Sequence, residues 1–410
     1  MMLAERINAE CLPIKVLLLT TSFPVHRGAR SGVFIRRMID NVPHVIEITV
    51  LTPDSISSER TEATAFSIIR FRYAPKNWQR LAHGSGGIMA ALSQKKFFFL
   101  LLPPLLLSCF ISSCWYSRQV DVLHANWSIN GVIAGIVGRL LKKPVITTLR
   151  GSDVNLMKKS WLMRQVLHAC LHLSQQIVTV SPSLQKTIHA QFPRYSSKVV
   201  VITNGIDQAF FVAGKNKNLI PEQEQPVRFL YVGNLIAGKG VHLILEAAAS
   251  LPMDNWYVDV VGDGMEKKKL KAYCQGTILE SKIIFHGSVA PEQIPQFMGK
   301  ADIFILASFA EGRPNVVLEA MAACLPVIAT AIPAVEDFVQ DGKQGLLFPS
   351  GDIEKLAEHM AYLINHPLER RMMGENGKKN LEALNLSWQE AGKQYAAIYT
   401  NLIINETAPQ

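Results

Sequence analysis

The chain has 410 residues, 49% hydrophobic and 18% charged, so it can form two domains of about 200 residues and is too apolar to be disordered. Its net charge of +9 is unevenly divided: residues 1–205 hold 24 Lys and Arg against 9 Asp and Glu, whereas residues 206–410 hold 18 against 24. The basic half favours an anionic partner over a mere drift in surface charge. Because no zinc-finger, homeodomain or RNA-binding pattern is present, a membrane surface or phosphorylated lipid is favoured over nucleic acid.

The six cysteines form no C-x-x-C pair and match no zinc spacing, which is typical of reduced core residues in a cytosolic protein. No secretory signal peptide is predicted, because Glu5, Arg6 and Glu10 are charged and the apolar run Val16–Leu19 is too short. We therefore expect a cytoplasmic protein that is peripheral on the inner face of the plasma membrane.

Short apolar runs alternate with segments of helical spacing along the first half. The runs predict strands at 14–20, 45–51, 120–124, 145–149, 176–180 and 199–202, and helices are predicted at 33–41 and 131–141. This alternation is typical of a parallel sheet covered by helices on both faces.

One segment of the first half is unusually apolar. Residues 97–111 read FFFLLLPPLLLSCFI and follow Lys95 and Lys96. The run is shorter than the roughly 20 residues of a spanning helix, and Pro103 and Pro104 are expected to interrupt it. Three interpretations stay open: a helix buried between sheet and surface, an interfacial segment anchored by the lysines, and, least favoured, a transmembrane span.

A second series of the same kind follows a polar, turn-rich stretch at 211–226. Strands are predicted at 228–232, 256–261, 283–286, 303–307 and 327–329, with helices at 241–249, 316–323 and 353–364. The sequence therefore predicts an α/β chain of two doubly wound domains, residues 1–210 and 227–387, joined by a linker at 211–226.

Polar clusters follow the predicted strands, where ligands of such sheets bind. The sharpest cluster is AEGRPNVVLEA at 310–320. Pro314 is predicted to begin a helix and Asn315 to cap it, which leaves backbone N–H groups near Val316 for a phosphate. Glu311 and Glu319 lie on either side, and each carboxylate can accept hydrogen bonds from a sugar diol. Together these groups describe a site for a nucleotide sugar.

Glu-x7-Glu before the EAMA helix resembles the donor site of retaining glycosyltransferases of family four (group 1), which have the GT-B fold. The other matching segments occur in the expected order: DVLHAN at 121–126, TLRGSDVN at 148–155, TNGID at 203–207, VGNL…GKG at 232–240, VGDG at 261–264, HGSV at 286–289, PVIAT at 326–330 and EDFVQDGKQGLLFPSGD at 336–352. The resemblance implies two Rossmann-like domains facing across a cleft, with a last helix in 388–410 that crosses back to the first domain.

The resemblance also implies roles for individual residues. Glu319 is expected to bind the ribose hydroxyls, Glu311 the hydroxyls of the donor sugar, and Lys239 the diphosphate. Backbone groups of the first loop, at Gly28 and Gly32, are expected to approach the diphosphate from the other domain. The remaining donor contacts are expected at Asn234, Gly262, Gly287, Val289, Gly312, Asn315 and Val316.

Two residues depart from the family's usual pattern. Asn234 stands where many members have Arg, so Lys239 carries more of the phosphate charge or Arg313 or Arg228 substitutes. Arg150 stands where many members have a His close to the reacting sugar. Because Arg stays protonated, it cannot act as a base. It could bind an anionic acceptor or a donor phosphate, or it could pair with Asp153. The expected catalytic and acceptor-side residues are Glu311, Lys239, Arg150, His124, Asn126 and Asp153.

The predicted reaction is transfer of a hexose-type sugar, with retention, from a UDP-, GDP- or ADP-sugar to a hydroxyl of a glycan or lipid-linked glycan, in bacterial surface polysaccharide assembly. The sequence contains no D-x-D pattern, so we expect no metal and no cofactor beyond the donor. A GT-B nucleotide-sugar epimerase and a catalytically degenerate nucleotide-binding scaffold are the alternatives.

Overall fold

Two parallel β-sheets form the framework of the protein. The computed structural model describes residues 13–26, 31–58, 66–83, 88, 91–92, 96–214, 225–252 and 254–407. The first sheet has seven strands in the order β3-β2-β1-β4-β5-β6-β7, and the second has six in the order β10-β9-β8-β11-β12-β13. The strands are β1 Ile14–Leu19, β2 Ile46–Pro53, β3 Ser67–Phe71, β4 Val122–Asn126, β5 Val145–Leu149, β6 Gln176–Thr179, β7 Val199–Val201, β8 Val227–Val232, β9 Trp256–Val261, β10 Ile283–Gly287, β11 Ile303–Leu306, β12 Val327–Thr330 and β13 Gly345–Phe348.

Helices cover both faces of each sheet. Their bounds are α1 Val33–Asp40, α2 Leu102–Tyr116, α3 Ser128–Leu141, α4 Ser152–Met157, α5 Trp161–Leu173, α6 Pro182–Gln191, α7 Gln208–Ala213, α8 Val241–Ala249, α9 Lys267–Cys274, α10 Leu279–Lys282, α11 Ile294–Lys300, α12 Asn315–Ala322, α13 Pro333–Glu336, α14 Ile353–Asn365, α15 Pro367–Leu384 and α16 Trp388–Thr407.

The central strands explain this layering. In β1, successive residues Leu17 and Leu18 point to opposite faces, and both are fully buried. A strand that is apolar on both faces requires cover on both, which α1 and α16 give on one side and α2 and α3 on the other. The prediction of two doubly wound domains of GT-B type is confirmed.

Each sheet reverses its strand order at one place. The reversal lies between β1 and β4 in the first sheet and between β8 and β11 in the second. Loops leaving neighbouring strands in opposite directions open a crevice there, at the carboxyl ends of the strands. The predicted clusters around Lys239 and Glu311 follow β8 and β11, on either side of the reversal in the second sheet.

The last helix, α16, lies against the first sheet although it follows the second domain in the chain. Its Trp388, Tyr395 and Tyr399 are buried in one cluster with Val16 and Leu18 of β1. Helix α16 therefore completes the core of the first domain.

The boundary between the domains falls earlier than the predicted residue 210. Ile206 and Phe210 are buried in the core of the second domain, and α7 packs on α11 and α12. The apolar residues of α7 explain this correction, because they need cover that the second domain provides. Most of the predicted linker, residues 215–224, lies outside the described residues.

The apolar segment at 97–111 forms a short 3-10 turn, Lys96–Leu101, followed by α2. Pro103 and Pro104 do not interrupt the helix as predicted, because they lie in its first turn, where no intrahelical N–H is needed. The inner face of the segment, with Leu101, Leu105 and Cys109, is buried against the first sheet. The segment from Phe97 to Gln119 is nevertheless long and apolar enough to span a membrane.

Candidate active site

The two domains touch at the carboxyl ends of β5 and β11. Gly151 follows β5 and Gly312 follows β11, and a Cβ placed on Gly151 would lie 2.2 Å from the Cα of Gly312. The hydroxyl of Ser181, after β6, donates to the carbonyl of Gly312 at 2.9 Å. These contacts leave no room for a side chain, so the two glycines set how closely the domains approach.

Lys239 and Glu311 meet on the second-domain side of the cleft. The Lys239 ammonium donates to the Glu311 carboxylate at 2.6 Å. The backbone holds the two loops together, because the Phe309 N–H donates to the carbonyl of Gly238 at 3.1 Å. The pair therefore presents a fixed cation and a fixed anion at the switch point between β8 and β11.

Glu319 lies one turn into α12 and faces the first domain. Arg37 of α1 reaches across the cleft to 4.0 Å from Glu319 and also lies 3.3 Å from Asp207. Burial raises the pKa of Glu319 to about 7, although Arg37 and Arg313 oppose this shift. A carboxyl group that titrates near neutrality is thus placed at the wall of the cleft.

The N-terminus of α12 differs by one residue from the prediction. The helix begins at Asn315, with Pro314 rather than Asn315 at the cap position, and no side chain caps this end. The Asn315 N–H donates to the carbonyl of Arg313 at 3.0 Å, so it is already used within the turn. The positive end of the helix dipole still points into the cleft.

Two guanidinium groups bind Asn204, one at its side-chain amide and the other at its backbone carbonyl. Arg150 donates from Nη1 to Asn204 Oδ1 at 3.1 Å, and from Nε and Nη2 to Asn126 Oδ1 at 2.9 and 2.7 Å. Arg313 donates from Nη2 to the Asn204 carbonyl and from Nη1 to Asn315 Oδ1, both at 2.6 Å. All these acceptors are neutral, so these hydrogen bonds do not cancel the charge of either guanidinium group.

Burial acts on both of these cations. It lowers the pKa of Arg150, and it lowers that of Arg313 to about 9, which still leaves Arg313 charged at neutral pH. The Arg150 guanidinium also lies 4.7 Å over the ring of Phe34 at the start of α1. Chemically, the cleft offers cations for an anionic ligand and carboxylates for hydroxyl groups.

Comparison with known proteins agrees with this geometry. The sequence model of "Glycosyltransferase Family 4" matches residues 46–210, and that of "Glycosyl transferases group 1" matches residues 214–380. The chain belongs to the group 1, family 4 glycosyltransferases. Among its relatives is the uncharacterized glycosyltransferase MJ1178 of Methanocaldococcus jannaschii, 27% identical over 287 residues, which are 70% of this chain and 77% of the relative.

Two further similar proteins bear on function. The capsular polysaccharide biosynthesis glycosyltransferase CapM of Staphylococcus aureus is 25% identical over 303 residues, 68% of this chain and 78% of CapM. The crystal structure of Anabaena HepE in complex with UDP-glucose superposes with a TM-score of 0.72 at 18% identity, covering 95% of this chain and all of that one. At that identity the likeness to HepE establishes the fold alone.

His124 of the glycosyltransferase does not line the cleft, which corrects its expected catalytic placement. Its side chain is fully buried, with Nδ1 2.7 Å from the Tyr399 hydroxyl and Nε2 2.8 Å from Thr148 Oγ1. Burial and the charge of Arg150 lower the pKa of His124 to about 3, so the ring is neutral. His124 instead joins β4 and β5 to α16.

Two predicted acceptor-side residues are likewise inside the protein. Asp153 is buried, and its Oδ1 accepts the N–H groups of Gly151 and Val154 at 3.0 and 3.1 Å. Burial raises the pKa of Asp153. Asn126 is also fully buried and orients Arg150. Arg150 donates to the side-chain amides of Asn126 and Asn204 rather than to Asp153. Of the three residues expected on the acceptor side, Arg150 alone is partly exposed.

The predicted loop residues of the donor side occupy the ends of β8 and β9. The Asn234 carbonyl accepts from the Tyr231 hydroxyl at 3.0 Å, and the Gly262 N–H donates to the Gly287 carbonyl at 2.8 Å. Val289 packs against the second-domain core. These contacts fix the loops, and they leave the contacts expected with a donor as predictions.

In the first loop, Gly28 lies outside the described residues. Gly32 precedes α1 in a left-handed conformation with φ 73°, and a Cβ there would lie 2.3 Å from the Ser22 carbonyl oxygen. Helix α1, like α12, lacks a side-chain cap at its N-terminus. The Ile35 N–H donates to the Gly32 carbonyl at 2.9 Å, so Gly32 closes the first turn of α1, and a phosphate contact at this loop stays a prediction.

Sequence reasoning missed Arg37 and Asn204. Arg37 resembles its neighbour Arg36, which pairs with Asp40 on the helix surface, so no pattern singles it out. Asn204 lies in the matched segment TNGID, which could have indicated its central position.

Proposed function

We propose that this glycosyltransferase moves a hexose-type sugar, with retention and without a metal ion, from a nucleoside diphosphate sugar to a hydroxyl of a glycan or lipid-linked glycan. The observation that carries the proposal is the pairing of Lys239 with Glu311 at the switch point of the second sheet, one loop away from the partly buried Glu319. HepE, which has the same fold, was crystallised with UDP-glucose.

The charges of the cleft match the parts of such a donor. Lys239 and Arg313 offer positive charge to the diphosphate, which becomes more negative as it leaves. Glu311, held at the end of the Lys239 side chain, is free on its second oxygen to accept hydroxyls of the sugar. The Glu319 carboxylate accepts hydrogen bonds from the ribose diol. No single helix dipole could bind all three parts of the ligand.

If transfer proceeds with retention, the acidic residues of 63–205 bear on whether it passes through a covalent intermediate. Residues 63–205 contain two acidic residues, Asp121 and Asp153. Asp121 accepts the N–H of Lys15 at the amino end of β1, away from the cleft, and Asp153 is held inside its own loop. Neither of these two carboxylates is placed to form a covalent intermediate with the sugar.

The route that these residues permit is substitution on one face of the sugar. The bond from the anomeric carbon to the diphosphate oxygen breaks, and the bond to the acceptor oxygen forms on the same face. The acceptor proton passes to the departing diphosphate. The protein then contributes orientation and charge stabilisation, and Arg150 is placed to hold an anionic group of the acceptor. The similarity to CapM supports an acceptor in surface polysaccharide assembly.

Thermal unfolding with a panel of UDP-, GDP- and ADP-sugars tests the donor site. A donor at 100 times its dissociation constant stabilises the protein by about 2.7 kcal/mol, so one base should raise the melting temperature clearly. Glu319→Ala should abolish the shift, whereas Glu382→Ala, on the exposed side of α15, should retain it. No shift with any donor would favour the scaffold alternative.

Transfer of labelled sugar, with NMR of the product's anomeric proton, tests the reaction. We expect the donor's anomeric configuration in the product, activity in the presence of a chelator, and loss of about 100-fold or more in kcat/KM for Lys239→Ala. An inverted product would overturn retention. Unimpaired transfer by both Lys239→Ala and Glu319→Ala would overturn the site, and conversion of the free donor to its epimer would identify an epimerase.

A further inference from the structure

The outer face of α2 is apolar along its whole length. Leu107, Ile111 and Trp115 follow one another at intervals of four residues, and they are 60%, 58% and 64% exposed. Pro103 precedes them on the same stripe, while Leu105 and Cys109 of the opposite stripe are buried in the core. The helix thus shows apolar side chains to the core and to the outside alike.

This outer stripe is not what a water-facing helix carries. From Phe97 to Ser117 the sequence contains no charged residue, whereas solvent-facing stripes of amphipathic helices are polar. Because its inner stripe is packed on the first sheet, α2 in this fold lies along the surface rather than standing apart as a span.

Neighbouring elements widen the apolar surface. Phe97 and Trp78 are exposed and contact each other edge to face, with ring centroids 5.3 Å apart. On the other side, α3 packs against α2 and exposes Ile136 and Leu140. We call the surface formed by these residues and the outer stripe of α2 the apolar face.

Positive charge borders the apolar face at both ends. Arg72, Lys76 and Arg80 are exposed in the segment that carries Trp78, and the Ser108 hydroxyl of α2 donates to the Arg72 carbonyl. At the other end, the Arg118 guanidinium lies 5.6 Å over the Trp115 ring. Asp54 lies 3.8 Å from Arg72, but across residues 63–205 there are 17 Lys and Arg against two acidic residues, so the border stays basic overall.

We propose that the apolar face is a membrane-docking surface, on which α2 lies in the plane of an anionic bilayer. Apolar side chains would enter the boundary between headgroups and acyl chains, Trp115 would sit at that boundary, and the basic border would contact anionic headgroups. The sheet beneath α2 limits how deep it can go. The proposal is independent of the chemistry proposed for the cleft.

The charges argue against a second copy of the chain as the occupant. A twofold dimer through the apolar face would place the same patch of each copy in contact, and the basic borders would then repel. An anionic lipid surface matches both the apolar stripe and its border.

Flotation of the full-length protein with vesicles tests the proposal. We expect binding to vesicles of phosphatidylcholine and phosphatidylglycerol that exceeds binding to pure phosphatidylcholine by about tenfold or more and that weakens with salt. A triple variant, Leu107→Ser, Ile111→Ser and Trp115→Ser, should lose about 90% or more of this binding while keeping its melting temperature, since these side chains are exposed. The matched control, Leu368→Ser with Met372→Ser, changes two exposed apolar residues of α15 and should bind as the parent does.

The depth of Trp115 in the bilayer is measured by the quenching of tryptophan fluorescence with brominated lipids. Quenching that is reduced in Trp115→Phe supports the proposal. Equal vesicle binding by the triple variant and the parent would overturn it. So would equal binding to neutral and anionic vesicles, or a dimer in solution that the triple variant abolishes without any binding of the parent to vesicles.

Discussion

At the scale of single residues, the cleft is built from charges that the protein holds away from water. Arg150 and Arg313 donate to amide and carbonyl oxygens of Asn126, Asn204 and Asn315 rather than to carboxylates. Neutral partners orient a cation without cancelling its charge. The arrangement leaves the cations available to an anionic ligand, while Asp153 and Glu319 act on Arg150 and Arg313 from a distance and help to keep them charged.

Glu319 gives this cleft a pH dependence. Its pKa is raised to about 7 by burial, but hydrogen bonds from a ribose diol favour the ionised form. We therefore expect the KM for the donor to rise as the pH falls below 7, approaching about tenfold per pH unit. Steady-state kinetics between pH 5.5 and 8.5 would measure it, and Glu319→Gln should flatten the profile, whereas Glu382→Gln should not.

The raised pKa of Glu319 has the opposite effect on the stability of the ligand-free protein. Between about pH 4.5 and 7 the folded chain keeps a proton on Glu319 that the unfolded chain releases, so this group's contribution to the free energy of unfolding falls as the pH rises. A donor KM that is independent of pH in the parent would contradict the assigned role of Glu319.

At the scale of elements, the closest approach of the domains is between the loops after β5 and β11. We expect Gly312→Ala to hold the domains apart, because the new Cβ would lie 2.2 Å from the Arg150 carbonyl oxygen. Transfer should fall by about 100-fold or more, since misplacement by 1 Å can cost that much. Small-angle scattering should show a larger radius of gyration for this variant than for the parent.

A control separates this effect from a general intolerance of alanine. At Gly299, in α11, a Cβ would have its nearest neighbour at 3.6 Å, an ordinary contact. Gly299→Ala should therefore retain the parent's transfer activity and its radius of gyration. If Gly312→Ala were as active as Gly299→Ala, the contact between Gly151 and Gly312 would not limit catalysis.

The elements also show what the sequence can predict. The two-sided apolar strands, such as β1 and β9, and the helices α8 and α14 were predictable within a residue or two, because their patterns are continuous. The edge strand β3, SIIRF, is half-exposed, and β13 has four residues beginning with glycine, so neither was predicted. Short edge strands depend on neighbours that are distant in sequence.

At the scale of the whole molecule, the cleft was predictable in outline and not in detail. Glu311, Glu319 and Lys239 follow strands in a recognisable motif, so their common location could be predicted. The burial of His124 could not, because its partner Tyr399 lies 275 residues away. Nor could the approach of Arg37 to Glu319, which depends on how two domains face each other.

Helix α16, near the end of the chain, packs against β1, near its start. The second of the two family matches ends at residue 380, before α16 begins. Even so, Trp388, Tyr395 and Tyr399 of α16 fill the core of the first domain. We expect a chain that ends at residue 387 to be insoluble or to melt far below the parent, because it uncovers one face of the first sheet. A chain that ends at residue 407 is the control. A soluble shorter chain with the parent's melting temperature would show that α16 is dispensable.

The position of α16 also has a consequence for biosynthesis. The ribosome makes β1 first and α16 last, so the first sheet waits for its cover until almost the entire protein has been translated, on the order of tens of seconds at usual rates. During that interval the second domain can mature while the nascent first domain still has an open apolar side. We therefore expect the second domain to reach its final fold before the first, and the emerging first domain to depend on chaperones that protect nascent chains.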